Sequence, residues 1–203
     1  DVPGVGESQK RDEEYAQLYA KLLPELDLVL WLLKGDDRAY STDETFYKQL
    51  LSSHINQGKP FFFVINQVDR IGEHSDWNYE KHEPGVQLYQ KIGRKVEAVA
   101  DQFHIPASKV IPVSASEKYN LTKLVDEIVF ALPKEKNYTL FKAVDNKFKS
   151  EAASEHVKKS IVEVVVDAVR DVADSVAVST VVDFGRDVMD WIDRHTPSWW
   201  PFK

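Results

Sequence analysis

The chain contains no cysteine, so disulfides and thiolate metal sites are excluded and a cytoplasmic setting is the expectation. Its histidines, His54, His74, His82, His104, His156 and His195, never fall into an H-x-x-x-H or H-E-x-x-H pattern, and no zinc site of that kind is expected. No run of about 18 uncharged apolar residues occurs, so a transmembrane helix is not expected either. Positive charge is also short. There are 26 Lys and Arg against 33 Asp and Glu, a net charge of −7. That balance disfavours a bulk electrostatic grip on nucleic acid or anionic lipid, while leaving room for a local basic patch. Nor does the chain open on methionine. It opens on Asp1, and a piece of a longer protein is the expectation. What is present, 203 residues with 43% hydrophobic and 29% charged, suits a soluble globular domain with or without an appendage.

Three short apolar runs read as buried parallel strands: Leu28 to Leu33 (LVLWLL), Phe61 to Ile65 (FFFVI) and Val110 to Val113 (VIPV). Each is too short for a helix and alternates little, as when both faces of a sheet are covered. Pro60 and Pro112 suit edge strands, because proline donates no ladder hydrogen bond. Helical spacing fills the gaps. It covers Glu13 to Leu23, Thr42 to Ile55, Val86 to Phe103 (stripe Val86, Tyr89, Ile92, Val96, Val99, Phe103) and Leu121 to Leu132, ending at Pro133. Alternating helices and strands predict an α/β fold with a parallel sheet over residues 1–133. Residues 134–203 read as an all-α extension. Tyr138 to Val157 is a lysine-rich helical stretch, and acids prevail from Ser160 onward. The acidic faces before and after Ser175 to Val182 point in opposite directions, which predicts a kink there or near Gly185.

Three motifs stand at strand ends, where open α/β sheets bind ligands. Asp1-Val2-Pro3-Gly4 suits a Mg²⁺–phosphate site: the carboxylate holds a metal-bound water and the glycine admits a phosphate to its N–H. Read alone, it is equally a turn. Asn66-Gln67-Val68-Asp69 follows the second strand. An aspartate there can accept from N1–H and the amino group of guanine, a donor pair adenine lacks. An Asx turn is the plainer alternative. Ser114-Ala115 follows the third strand, where a small residue lets a backbone N–H approach guanine O6 and the serine braces the loop.

The order D-x-P-G, N-x-x-D, S-A resembles the later signature motifs of TRAFAC-class GTPases. The flanks DVPGVGESQKRDEEY, LPELDLVLWLLK and FFFVINQVDR resemble the Era/TrmE-like branch and, within it, the bacterial YfjP/YeeP group. The resemblance covers Asp1 to Pro133, and implies the C-terminal part of a P-loop NTPase G domain. It implies GTP or GDP and Mg²⁺ as ligands, with hydrolysis of GTP as a switch in the complete protein. Asp1 would hold Mg²⁺ through water and Gly4 would contact the γ-phosphate. Asn66, Gln67 and Asp69 would form the guanine motif, supported by Ser114 and Ala115. Val5 to Glu14 would be the mobile switch.

The chain departs from that pattern in three ways. No G-x-x-x-x-G-K-[ST] occurs, so the phosphate cradle is absent from these residues. Gln67 replaces the family's lysine. Val5 stands where Ras-like relatives carry the water-orienting glutamine, and no catalytic residue is assigned. This piece alone is expected to be inactive and poorly stable, because the LVLWLL strand would show an unpaired apolar edge. Two other readings stay open. One is a non-catalytic interaction module acting through the helical tail, with RNA, a ribosome or a protein effector as partner. The other is a peripheral-membrane GTPase using Trp191, Trp199, Trp200 and Phe202, although the acidic tail favours packing of these rings. The segment Glu73 to Gly85 reads as an exposed loop, with Trp77 and Tyr79 its only hint of binding.

Overall fold

The computed structural model describes residues 9–37, 41–48, 58–73 and 76–173. The chain divides into two compact units, Asp1–Leu124 and Val125–Lys203. The first runs α1 (Gln9–Leu22), β1 (Val29–Lys34), α2 (Ser41–Phe46), β2 (Phe61–Asn66), β3 (Trp77–Asn78), β4 (Glu83–Pro84), α3 (Val86–Phe103) and β5 (Val110–Pro112). The division between units falls within α4 (Leu121–Ala131).

The three apolar runs form one parallel sheet of order β1-β2-β5, with Val29 opposite Phe61 and Phe63 opposite Val110. The mixed α/β class with a parallel sheet is as the sequence predicts. β2 is buried along its first five residues. Phe61, Phe63 and Ile65 face a core completed by Leu88, Ile92, Val99 and Phe103. The Phe63 and Phe103 rings lie 4.2 Å apart between centroids. Lys109 lies over the ring of Phe62, 4.5 Å from its centroid. Each buried phenylalanine contributes about 2–3 kcal/mol, which makes this strand the anchor of the unit.

The proline rule holds for one of its two cases. Pro112 is on β5, which has β2 as its neighbour. Pro60 precedes the central strand instead, and its carbonyl accepts from Val29 N–H at 3.1 Å. Its missing N–H lies ahead of the ladder, so centrality costs nothing there.

α3 has the predicted limits but a different apolar stripe. Val86 and Tyr89 are 78% and 64% exposed, and Leu88 is buried in their place. Leu88, Ile92, Val96, Val99 and Phe103 recur at steps of four, four, three and four, a straighter line down one face than a stripe through Val86 and Tyr89. The helix stops at His104, whose left-handed φ of 54° lets its N–H reach Ala100 O and Asp101 O. α1 begins at Gln9, so Gln9–Glu14 of the expected mobile switch is helical, as its run of good helix formers allows. Val5 to Ser8 lie outside the described residues. Of the expected helix Thr42 to Ile55, Ser41–Phe46 is α2, and 49–57 lie outside the described residues.

The segment Glu73 to Gly85 is not a plain exposed loop. It carries a short antiparallel hairpin, Trp77 opposite Pro84 and Asn78 opposite Glu83. Trp77 is 4% exposed and belongs to the core, which removes it as a surface contact; Tyr79 remains exposed.

The second unit holds most of α4, α5 (Lys134–Ala143) and α6 (Glu151–Ala173). The lysine-rich stretch is therefore two helices rather than one. Val144 is extended, Asp145 accepts from Lys147 N–H, and Ser150 Oγ accepts from Ala153 N–H at 2.9 Å to cap α6. Val129, Phe141, Ala153 and Val157 form its core. Within that unit Asn137 is fully buried and its Nδ2 donates to Ser160 Oγ at 2.8 Å. α6 continues to Ala173; the predicted kink and the aromatic end, Trp191 and Trp199 to Phe202, lie outside the described residues. Among the described residues no helix is long and apolar enough to cross a membrane.

Candidate functional site

Two strands end side by side and bring the second and third motifs together. β2 delivers Asn66, and β5 delivers Ser114 and Ala115 one turn beyond Pro112. The register Ile65 opposite Pro112 sets their heights. Asn66 Oδ1 accepts from Gln67 N–H at 2.8 Å and from Ala115 N–H at 3.1 Å. One side chain thus ties both loops. Two backbone donors demand an oxygen at that point, which fixes the amide's orientation and leaves Nδ2 as a donor. Val68 N–H donates to Val113 O at 3.2 Å and Val68 is fully buried, a second tie between the loops.

Gln67 turns the chain with φ 62°, a left-handed value that costs a non-glycine residue about 1 kcal/mol or more. The turn leads into a short 3₁₀ segment, Val68–Arg70, that carries Asp69. The Asp69 side chain is 10% exposed, with Oδ2 3.9 Å from the Arg70 guanidinium. Its Oδ1 is buried and accepts no hydrogen bond from the described residues. A buried carboxylate oxygen without a donor costs more than about 1 kcal/mol, and a water or a ligand that brings a donor relieves that cost.

Ser114 is buried, and it and Tyr119 exchange both backbone hydrogen bonds, at 3.2 and 2.9 Å. Ser114 Oγ also accepts from Glu117 N–H at 3.2 Å, and Asn120 Nδ2 donates to Pro112 O at 2.8 Å. The loop 114–120 is thereby braced from within. Burial, with Tyr89 and Glu83 adding, pushes the Tyr119 phenol above its ordinary value.

Asn66, Gln67, Ser114 and Ala115 are therefore held together at two adjoining strand ends, and Asp69 lies in the 3₁₀ segment that follows directly. Asp1 and Gly4 lie outside the described residues. Reading the sequence missed Gly35. Its N–H donates to Asn66 O at 2.7 Å, and a Cβ there would stand 2.9 Å from Gln67 O. Only glycine lets the turn after β1 back onto the N-x-x-D loop so closely. The Gly-Asp-Asp that follows LVLWLLK was its signal. Lys95 of α3 steadies the same turn by donating to Asp37 O, and burial lowers the Lys95 pKa.

No family model matches the chain. It is similar to YfjP of Escherichia coli K12, 36% identical over 165 residues, covering 81% of this chain and 55% of YfjP. It is 33% identical over 186 residues to YeeP of the same organism, covering 86% of this chain and 77% of YeeP. GTPase Era of Aquifex aeolicus is 26% identical over 136 residues, 66% of this chain and 39% of Era. A crystal structure of Era with MgGDPNP and nucleotides 1506–1542 of 16S ribosomal RNA superposes with a TM-score of 0.49 at 22% identity, over 66% of this chain and 39% of that one. The chain thus spans about half the length of YfjP and about three quarters of YeeP. Its extent of identity with YeeP places it among these proteins: the chain belongs to the YfjP/YeeP group of the Era-like GTPase family.

Proposed function

We propose that the protein made from the complete gene binds GTP and GDP with Mg²⁺ and hydrolyses GTP to GDP and phosphate as a switch, and that this chain supplies the wall that reads the base. The observation that carries this is Asp69 Oδ1, a buried acceptor without a donor among the described residues, in the 3₁₀ segment that directly follows the central strand. Guanine offers N1–H and an exocyclic amino group to one carboxylate. Adenine offers no such pair and would leave the charge unpaired. Asn66 Nδ2 supplies a donor toward the base, and Ala115 N–H, now on Asn66 Oδ1, lies where a base carbonyl could share it. The relationship to a protein named GTPase Era supports the same reading.

In this reading residues 1–133 belong to the nucleotide domain and 134–203 form an extension that meets an RNA, ribosomal or protein effector. Asp1 would hold Mg²⁺ through a water. The bound Mg²⁺ would neutralise phosphate charge, and catalysis would rest on positioning and electrostatics. The 203-residue chain alone should bind nucleotide weakly and turn over none.

The test is binding of fluorescent GDP, GTP and ATP to the complete gene product, then to Asp69→Asn. Wild type should prefer guanine, and the variant should lose roughly 10–100-fold of that preference. Equal guanine preference in the variant would remove Asp69 from the base site. Absence of any nucleotide binding would leave the interaction module as the better reading.

A further inference from the structure

The hairpin of β3 and β4 sits between the N-x-x-D loop and α3, and the nucleotide reading gives it no task. Its base is pinned. Gly85 N–H donates to Asp76 O at 2.8 Å, and the Asp76 carboxylate receives Lys91 Nζ at 2.9 Å and Glu73 N–H at 3.3 Å. Gly72 packs so closely on that carboxylate that a Cβ would stand 2.7 Å from its oxygen. Asn78 Oδ1 folds the tip by accepting from the N–H groups of Glu80 and Lys81, at 3.1 and 3.0 Å. The tip ends on His82 with φ 54°, a left-handed turn residue.

From this fixed base the hairpin reaches the loop 114–120 at two points. The Trp77 ring meets the Tyr119 ring edge-on at 5.5 Å, and His82 Nδ1 lies 3.0 Å from Glu117 Oε2. Those partners are 42 and 35 positions apart in sequence, so chain connectivity does not bring them together. The loop needs outside support, because Lys118 and Asn120 hold left-handed φ of 58° and 59°. What the hairpin touches is also what holds the base-facing turn. Glu117 N–H bonds Ser114 Oγ, Tyr119 is paired to Ser114 through the backbone, and Ala115 N–H bonds Asn66 Oδ1.

We propose that the β3–β4 hairpin is a clip on the base-facing loop, and that His82, through Glu117, sets how fast a guanine nucleotide leaves. His82, Glu117 and Tyr119 are positioning residues; none needs to touch the nucleotide. The proposal rests on the guanine reading of this site. It makes the hairpin a control point, because displacing its tip would loosen Ser114 and Ala115 without disturbing Asp69.

The experiment measures dissociation of fluorescent GDP from the complete gene product and its His82→Ala, Glu117→Ala, double and His82→Lys variants, alongside each melting temperature. The single alanine variants should release GDP about three- to tenfold faster, the value of one hydrogen bond, with unchanged melting. The double variant should match the singles rather than multiply them, and His82→Lys, which keeps a donor for Glu117, should restore the slow rate. Unchanged release in both single variants, with guanine preference still lost in Asp69→Asn, overturns the clip and leaves the base site intact. Faster release that tracks a lowered melting temperature and is not rescued by lysine also overturns it. A wild-type protein that binds no guanine nucleotide removes both the base site and the clip.

Discussion

At the residue scale, the site depends on positions that contribute no chemistry. Gly35 is one. An added methyl would meet Gln67 O at 2.9 Å, Asn66 O at 3.1 Å and Ile71 Cγ1 at 3.0 Å, two of them backbone atoms that cannot swing aside. Gly35→Ala should lower stability by about 1–3 kcal/mol, read from the denaturant midpoint, and should weaken guanine binding through the displaced loop. Asp43 is a second. Trp31 Nε1 donates to its Oδ1 at 2.7 Å, yet burial dominates and, with Asp37 nearby, pushes its pKa above the ordinary value. The folded state then binds the Asp43 proton more tightly than the unfolded chain. Its contribution to stability is fully present below the unfolded value, about 3.9, and is lost as pH rises through the folded value. Asp43→Asn keeps an acceptor for Trp31 and should raise the melting temperature at pH 7 by a few degrees. The gain should vanish near pH 3.5, and a gain of equal size at both pH values would contradict the assignment. Asn66 and Asp69 stand out in the sequence as candidates because the proposed chemistry is written in their own side chains. Gly35 was not, because its importance lies in atoms it lacks and in a neighbour 31 positions away.

At the element scale, helix limits came through where the end signals are local. α3 ends at Phe103, the limit read from its sequence, with His104 as its left-handed cap. The division of the lysine-rich stretch was missed although Val144, Asp145 and Asn146 are weak helix formers; the break is made there by two cap residues, Asp145 and Ser150. Ser150 has a double role: its Oγ caps α6 and donates to Asp126 Oδ1 at 2.7 Å. Ser150→Ala should cost about 1–2 kcal/mol by thermal or denaturant melting, at the upper end for a cap because two bonds go with it. The hydrogen bond between α5 and α6 offers a sharper contrast. Asn137 Nδ2 finds Ser160 Oγ, while its Oδ1 is buried without a partner among the described residues. Ser160→Ala alone should cost about 1–3 kcal/mol by stranding the amide, whereas Asn137→Leu with Ser160→Ala should be close to neutral, since both partners then turn apolar. Equal losses in the two proteins would show that the bond itself, not the stranded group, carries the energy.

At the scale of the whole molecule, the sheet is the legible part and its edge is the consequential one. Three apolar runs marked the strands, because a buried parallel strand writes its burial into unbroken sequence, while their order comes from the structure. Trp77 shows where this stops: a tryptophan in a polar segment looks exposed until the hairpin folds it under Tyr119. Among the described residues β1 has β2 as its one neighbour. Its residues Val29, Leu30 and Trp31 are half-buried and Leu32 is 63% exposed, where parallel sheets ordinarily cover both faces. Nearly half of YfjP lies outside its match with this chain, so the match accounts for only part of the relative. The 203-residue chain by itself should therefore self-associate as its concentration rises and melt over a broad range, since an open apolar edge pairs with whatever strand it meets. Leu32→Lys should reduce the average mass in light scattering without lowering the melting temperature, because the lysine head reaches water while its stem covers the strand. The complete gene product should stay monodisperse without that substitution. Sharp melting of a monomeric 203-residue chain, unaffected by Leu32→Lys, would mean that the edge is satisfied within these residues.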